Sequence, residues 1–204
     1  MSNYLISMPK SIENLQLPDP ELLNQYIDLE NRVVWIAEEI DTYTLELIKY
    51  IMYWNRADSD IEPNERKPIR LIFFSPGGDL DVNNAIIDTI TLSKTPVWGI
   101  NMGRCCSAAA FIYLACNKRF TMPQAYWIFH QGSGTLSGSY SEVVAQMDNY
   151  QKQVEELASF MNDRTTYSEE EIANRIVGEW YVSSEEAIEN GVCDKVIDDL
   201  DEVL

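Results

Sequence analysis

The sequence predicts an α/β fold built on a mostly parallel sheet that is flanked by helices. Over residues 32–130, short apolar and β-branched segments alternate with segments whose apolar residues recur at helical spacing. This alternation is typical of parallel sheets, in which each helix carries the chain back to start the next strand. A long, continuous helical segment then follows a glycine-rich loop, and we expect this helix to protrude from the sheet.

The predicted strands lie in the first two thirds of the chain. RVVWIA at residues 32–37 and IRLIFF at residues 69–74 have the β-branched, apolar character of buried strands. The uninterrupted apolar run of the second segment predicts helices on both faces of the sheet. VWGINM at residues 97–102, RFTM at residues 119–122 and YWIFH at residues 126–130 are three further short strands.

Helices are predicted between these strands, over residues 41–55 and 81–94. Their apolar residues recur three or four positions apart, which defines one inward face on each helix. The inward residues that we expect are Leu45, Ile48 and Met52 in the first helix and Val82, Ile86 and Ile90 in the second. A third, short helix over residues 105–116 is predicted to follow a turn at Gly103.

The character of the chain changes after residue 130. Residues 131–141 are rich in glycine and serine and predict a flexible loop, after which a helix runs from residue 141 to residue 164. Its apolar residues form two stripes with a spacing of seven, namely Met147, Val154 and Met161, and Tyr150 and Leu157. Such a seam packs either within its own domain or against a partner, and its position after a flexible loop favours a partner. Two shorter helices follow, and the second stops at Gly191.

Length, charge and cysteine content restrict the possible functions. The 204 residues suffice for one domain, with an N-terminal arm at residues 1–20 and the long helix within residues 131–165. The net charge of −18 argues against nucleic acid or an anionic membrane as partner, because both bind clustered Lys and Arg. No apolar run is long enough to span a bilayer, and the N-terminus lacks the pattern of a signal peptide. We therefore expect a cytoplasmic protein.

The four cysteines fit reduced thiols. Cys105 and Cys106 are neighbours and form a poor disulfide pair, and no C-x-x-C spacing suggests a zinc site. We expect neither a metal nor a cofactor.

Two glycine-containing turns come directly after predicted strands. One is SPGG at residues 75–78, and the other leads from Gly103 to Ser107. Because the carboxyl ends of parallel strands meet at one edge of the sheet, both turns are expected at the edge where ligands usually bind. There, the backbone N–H groups of Gly78 and Ala108 could hold an oxyanion next to Ser107 as nucleophile.

His130 is the only histidine of the chain and ends the predicted strand YWIFH. It is therefore the one imidazole that could serve as a general base near neutral pH. Each residue also has an ordinary explanation, since lone histidines are often hydrogen-bonded in a core and serines often begin helices. The combination of Ser107, His130 and two strand-end glycine turns indicates acyl-transfer chemistry.

Four motifs in a fixed order resemble the proteolytic subunit of the Clp protease, a family of serine peptidases. The motifs are SPGG, G-x-x-x-S-A-A-A-F, R-F-x-M-P-x-A and I-F-H-Q, and the resemblance extends from about Ile27 to Ile197. It implies a ClpP/crotonase-type fold whose protruding handle helix joins two stacked seven-membered rings. It also implies a Ser–His–Asp triad, with Ser107 as nucleophile, and a AAA+ ATPase that feeds unfolded protein into the chamber.

The chain departs from the pattern of this family at three places. Ala108 and Ala109 replace the usual Met-Gly after the serine, and Asp79 adds charge beside SPGG. The position of the triad acid, just before WYVSS, is occupied by Glu179 instead of aspartate. A glutamate can orient an imidazole, as in hydrolases with a Ser–His–Glu triad. We expect Asp194, the nearest downstream aspartate, to be a structural residue in the turn after the last helix.

Three other functions are open on the sequence alone. The chain could be an inactive ring subunit, a crotonase-type enzyme acting on acyl-CoA, or a phage-type maturation protease that works without an ATPase. The presence of both Ser107 and His130 argues against an inactive subunit. The scarcity of Lys and Arg argues against a site for the phosphates of CoA.

Overall fold

The computed structural model describes residues 21–203, in which helices and strands alternate along the chain. The helices are α1 (Glu21–Glu30), α2 (Glu46–Ala57), α3 (Leu80–Leu92), α4 (Ala108–Ala115), α5 (Tyr140–Arg164), α6 (Glu169–Arg175) and α7 (Ser184–Glu189). The strands are β1 (Val33–Ile36), β2 (Ile69–Ser75), β3 (Val97–Cys106), β4 (Lys118–Thr121), β5 (Tyr126–Phe129), β6 (Trp180–Ser183) and β7 (Lys195–Val196). The predicted arm at residues 1–20 lies outside the described residues. No helix within residues 21–203 has both the length and the apolar character needed to cross a membrane.

Seven strands form one mostly parallel sheet, as predicted from the sequence. The main path has the order β1-β2-β3-β4-β7, and every pairing along it is parallel. The strand β5 leaves this path, because it pairs in parallel with the end of β3 and antiparallel with β6. Besides β2, β3 therefore pairs with two strands: with β4 through its first half and with β5 through Arg104, Cys105 and Cys106.

Helices cover one face of this sheet more completely than the other. On one face, α2, α3 and α4 build the main core, and all eight residues of α4 are buried. On the other face, Ile72 and Ile100 pack against Ile197 and Val203 from the C-terminal segment. The prediction of helices on both faces of β2 was therefore wrong, and Phe74 at the end of that strand stays 45% exposed.

The strand β3 is longer than predicted. The sequence suggested a turn at Gly103 and a helix from residue 105, but the strand continues to Cys106 and the helix α4 begins at Ala108. The extension exists because Cys105 and Cys106 pair with β5, a contact that local sequence does not reveal.

The inward face predicted for α2 was right in part, and the one predicted for α3 was right. Leu45 and Ile48 are partly buried against the core, but Met52 is 54% exposed, and the fully buried residues of α2 are Leu47, Ile51 and Trp54. A 3₁₀ turn at Thr42–Leu45 precedes this helix, and its three residues per turn differ from the α-helical period that the prediction assumed. In α3, which has no such preceding turn, Val82, Ile86 and Ile90 are buried as predicted.

The helix α5 is the predicted long helix and has 25 residues. Its second half packs on its own domain, since Met161 is fully buried and both Val154 and Leu157 contact the core. The prediction of one continuous partner-binding seam was therefore wrong for these three residues. The first half of the helix exposes three large apolar side chains, those of Tyr140, Val144 and Met147.

Candidate active site

Ser107 lies at the tight junction between β3 and α4. Its φ of 52° and ψ of −128° fall in a region that residues with side chains rarely adopt. Two hydrogen bonds hold the junction: the Ser107 N–H donates to the Ile128 carbonyl at 2.7 Å, and the Ser107 carbonyl accepts from the Ala110 N–H at 2.9 Å. A strained backbone of this kind costs about 1–3 kcal/mol and occurs mostly at functional sites.

The hydroxyl of Ser107 does not perform the ordinary task of a serine at a helix start. The residue occupies the N-cap position of α4, yet its side chain makes no capping hydrogen bond. The residue is half-buried, and the hydroxyl has no hydrogen-bond partner within residues 21–203. The preceding residue, Cys106, is a poor rival nucleophile, because burial raises the pKa of its thiol. The Ser107 hydroxyl is thus available for reaction.

Gly77 in SPGG lies directly against the serine. A Cβ atom on Gly77 would approach the Ser107 Cβ and the Cys106 carbonyl oxygen to 2.6 Å each, and its φ is +94°. Only glycine fits this position, because both the close approach and the backbone conformation exclude a side chain. The loop after β2 and the start of α4 are therefore in direct contact.

The two amides expected to hold an oxyanion are both without an acceptor. Gly78 forms an isolated β-bridge with Ile40. In this bridge the backbone N–H of Ile40 donates to the Gly77 carbonyl at 2.8 Å, and the backbone N–H of Asp79 donates to the Ile40 carbonyl at 2.7 Å. The N–H groups of Gly78 and Ala108 donate to no atom of the described residues. Free N–H groups beside a nucleophile are the geometry that stabilises a developing negative charge.

One cavity brings the predicted residues together. Its volume is about 690 Å³, and its lining includes Ser107, Ala108, Gly78 and His130. The positions follow from the sheet: Ser107 comes after β3 and His130 after β5, and these two strands run in parallel. Further lining comes from the apolar residues Leu80, Phe111, Val154 and Leu157 and from the carboxylates Glu39 and Asp79.

His130 is half-buried and uses its Nδ1 atom as an acceptor. The N–H of Gly132 donates to this nitrogen at 3.2 Å. Within the described part of the chain, no hydrogen bond joins His130 to Ser107 or to Glu179. The residues of the expected triad therefore share one region but are not linked to each other in this structure.

Glu179 directly precedes β6, and His130 directly follows β5. Phe129 of β5 and Trp180 of β6 form the last pair of this antiparallel ladder, so His130 and Glu179 are the two positions that adjoin it. The Glu179 side chain is exposed, does not line the cavity, and accepts a hydrogen bond from the Tyr181 hydroxyl at 2.9 Å. This bond raises the pKa of Tyr181.

Asp194 lies at another end of the sheet. Its carboxylate accepts from the backbone N–H of Arg119 at 2.7 Å and from the guanidinium of the same residue at 3.3 Å. These contacts tie the turn after α7 to β4, which is the structural role expected for this residue.

Sequence reasoning missed the contribution of α5 to the site. Tyr150, Val154 and Leu157 all line the cavity. The seven-residue spacing of the apolar stripes did signal one buried face on this helix, but we assigned that face to a partner. Glu39, which follows β1, was also missed and carries no sequence signal of its own.

Comparisons with known proteins agree with this arrangement. The family model described as Clp protease matches residues 22–199. The chain is 26% identical over 197 residues to the ATP-dependent Clp protease proteolytic subunit 2 of Treponema denticola, covering 95% of this chain and 94% of that protein. It is 29% identical over 172 residues to the ATP-dependent Clp protease proteolytic subunit 1 of Rhodopirellula baltica, covering 83% of this chain and 73% of that one.

A solved structure shows the same fold. The structure of a mutant ClpP1 from Listeria monocytogenes superimposes with a TM-score of 0.75 and 24% identity, covering 89% of this chain and 99% of that chain. Since the matched family model spans most of the sequence and its fold is the one described above, the chain belongs to the Clp protease family.

Proposed function

We propose that this protein is a serine endopeptidase that cleaves peptides and unfolded proteins. The observation that carries the proposal is the single cavity lined by Ser107, His130 and the free amides of Gly78 and Ala108. A nucleophile, a base and an oxyanion site in one place are the components that acyl transfer requires.

The reaction follows from the roles of these groups. The Oγ atom of Ser107 attacks the scissile carbonyl carbon while His130 takes its proton. The negative charge that develops on the carbonyl oxygen is stabilised by the N–H groups of Gly78 and Ala108. His130 then gives the proton to the leaving amine, and a water molecule activated by the same imidazole hydrolyses the acyl-enzyme.

In this mechanism we assign Glu179 as the acid that orients and stabilises the protonated His130. The assignment is supported by the strand register, because His130 and Glu179 adjoin the last pair of the β5–β6 ladder. For the productive arrangement, the Glu179 carboxylate must leave the Tyr181 hydroxyl and accept the Nδ1–H of His130. The side chains of Glu179 and Tyr181 are both exposed, and the exchange requires rotation of the Glu179 side chain together with a change of the His130 tautomer from Nε2–H to Nδ1–H.

Glu179→Gln should lower turnover about a hundred-fold or more and leave fold and assembly unchanged. The comparable acid-to-amide change costs about ten-thousand-fold in serine proteases, and the longer glutamate side chain is expected to matter less. The matched control is Asp194→Asn, which removes a carboxylate that contacts only Arg119. Steady-state rates of peptide hydrolysis by the two variants and the wild type measure the loss of turnover. Full turnover in Glu179→Gln combined with lost turnover in Asp194→Asn would place the acid elsewhere.

An acyl-CoA substrate is disfavoured by the lining of the cavity. Among the described residues, those that line it include Glu39 and Asp79 and no Lys or Arg. Two carboxylates would repel the phosphates of CoA, whereas they do not oppose a neutral peptide backbone.

We further propose that the subunits form a ring-shaped chamber, as two stacked heptamers, and that a AAA+ ATPase feeds it. The relatives named above are called proteolytic subunits of an ATP-dependent protease, which supports both points. The exposed apolar side chains Tyr140, Val144 and Met147 on the first half of α5 also support assembly, because monomers rarely expose such stripes. Four free, buried thiols fit the reducing conditions of the cytoplasm, where we place the protein.

Exchanging Val144 and Met147 for aspartate should give smaller particles that have lost most peptidase activity. These side chains are 41% and 55% exposed, so the variant retains its own core but acquires buried charge wherever a partner covers them. Size-exclusion chromatography with a fluorogenic peptide assay on the same fractions measures both effects. The wild-type activity is expected to elute with the assembled form.

The control for this experiment carries the same added charge on the other side of α5. Ala145 and Ser159 are exposed, and helical geometry turns both away from the core. The pair Ala145→Asp and Ser159→Asp should leave size and activity unchanged. An active wild-type monomer would overturn the chamber proposal and favour a maturation protease that acts alone.

A further inference from the structure

A single peptide group connects α5 to the candidate base. The hydroxyl of Tyr150 donates to the carbonyl oxygen of Gln131 at 2.8 Å. The N–H at the other end of the same peptide, that of Gly132, donates to Nδ1 of His130 at 3.2 Å. The peptide between Gln131 and Gly132 is therefore held at both ends, by a tyrosine on one side and by the imidazole on the other.

The second hydrogen bond determines where the proton of the imidazole resides. A nitrogen that accepts from an N–H must be the unprotonated nitrogen of a neutral ring. With Nδ1 as acceptor, the proton of His130 lies on Nε2. A triad histidine needs the opposite form, with Nδ1 protonated and Nε2 free to take the serine proton. The described geometry is thus a resting state of the site.

We propose that Tyr150 is a positioning residue that sets the tautomer of His130 through the Gln131–Gly132 peptide. The inference deepens the proposed peptidase function and rests on it for the role of His130. While the hydroxyl holds the carbonyl, the N–H end faces the ring and the resting tautomer is favoured. When the hydroxyl releases the carbonyl, the peptide can rotate and turn its N–H away from Nδ1, which leaves Nδ1 free to carry the proton that Glu179 would accept. A proton then leaves Nε2 for water, and water returns one to Nδ1.

Gly132 makes both orientations of this peptide accessible. Its φ is +89°, and a Cβ atom at this position would lie 2.4 Å from the Tyr150 hydroxyl oxygen. Rotation of a peptide group changes the φ of the residue that follows it, and glycine tolerates either sign. Burial raises the pKa of Tyr150, so its hydroxyl remains a donor over the working range of pH. Tyr150 also lines the cavity, so this contact lies where substrate would bind.

The test uses the fact that His130 is the only histidine. The full-length assembly, purified without a histidine tag and labelled with ¹⁵N-histidine, gives one imidazole in magic-angle-spinning NMR spectra, which report the tautomer directly. The spectra are recorded at about pH 9, which lies above the reference pKa of a free histidine side chain. We expect wild type to be mainly the Nε2–H form. In Tyr150→Phe the ratio of Nδ1–H to Nε2–H should rise about fivefold, which is the effect of one net hydrogen bond.

A matched control and a second measurement distinguish the possible results. Tyr43→Phe removes the hydroxyl of a residue that is 84% exposed, does not line the cavity and makes no side-chain hydrogen bond within the described residues, and it should leave the tautomer ratio unchanged. Labelling by a fluorophosphonate should become several-fold faster in Tyr150→Phe. An unchanged tautomer ratio in Tyr150→Phe, or a wild type already in the Nδ1–H form, would overturn the inference. A shifted ratio without any labelling of Ser107 would sustain the role of Tyr150 and overturn the peptidase proposal.

Discussion

Ser107→Ala should abolish peptide cleavage and fluorophosphonate labelling while the particle keeps its size. The expected loss is about a million-fold in turnover, as for other serine nucleophiles. The fold should tolerate the change, because the hydroxyl makes no capping hydrogen bond and alanine keeps the Cβ atom that packs against Gly77. Turnover of a fluorogenic peptide, measured on sized fractions, checks this prediction.

The neighbouring cysteine provides the control for this experiment. Cys106→Ala removes the nucleophilic side chain that directly precedes Ser107, whose buried thiol has a raised pKa. Labelling of Ser107 should persist in this variant. Residual cleavage within tenfold of wild type in Ser107→Ala, or loss of labelling in Cys106→Ala alone, would contradict the assignment of the nucleophile.

His130→Gln should lower turnover as far as Ser107→Ala does. Glutamine keeps hydrogen-bonding groups of similar reach but cannot accept the serine proton, and no second histidine exists to replace it. Since nucleophile and base act as a unit, the double variant should be no slower than either single one. The measurement is kcat/KM for the two single variants and the double variant. Losses that multiply in the double variant would show that the two residues act independently.

The sequence was sufficient to predict that the SPGG turn and Ser107 lie at one edge of the sheet. Both follow apolar strands, and parallel pairing brings the ends of such strands to one edge. The structure adds the specific pairing of β3 with β5, which brings His130 to the same cavity. Local pattern could not reveal that pairing, because it depends on contacts between segments that are distant along the chain.

Other features depended on tertiary contacts and were predicted wrongly or not at all. The periodicity of α5 indicated a buried face but did not indicate what this face packs against. In the structure it packs against the core of its own domain and lines the cavity. Glu179 is hydrogen-bonded to Tyr181, and His130 is hydrogen-bonded to Gly132. The spacing of residues along the sequence does not indicate hydrogen bonds of this kind. The role proposed for Tyr150 could not be predicted either, because the position of a tyrosine on a helix does not indicate which atom accepts the hydrogen bond of its hydroxyl.

The backbone conformation of Ser107 at the junction of β3 and α4 also has a consequence during protein synthesis. Its backbone conformation is held by Ile128, which follows it in the chain, and by contact with Gly77, which precedes it. A growing chain on the ribosome exposes the serine before the strand that holds it has been made. The backbone conformation that the proposed nucleophile needs therefore forms only after Ile128 has been synthesised and β3 has paired with β5. We expect a partly synthesised chain to lack peptidase activity for this reason.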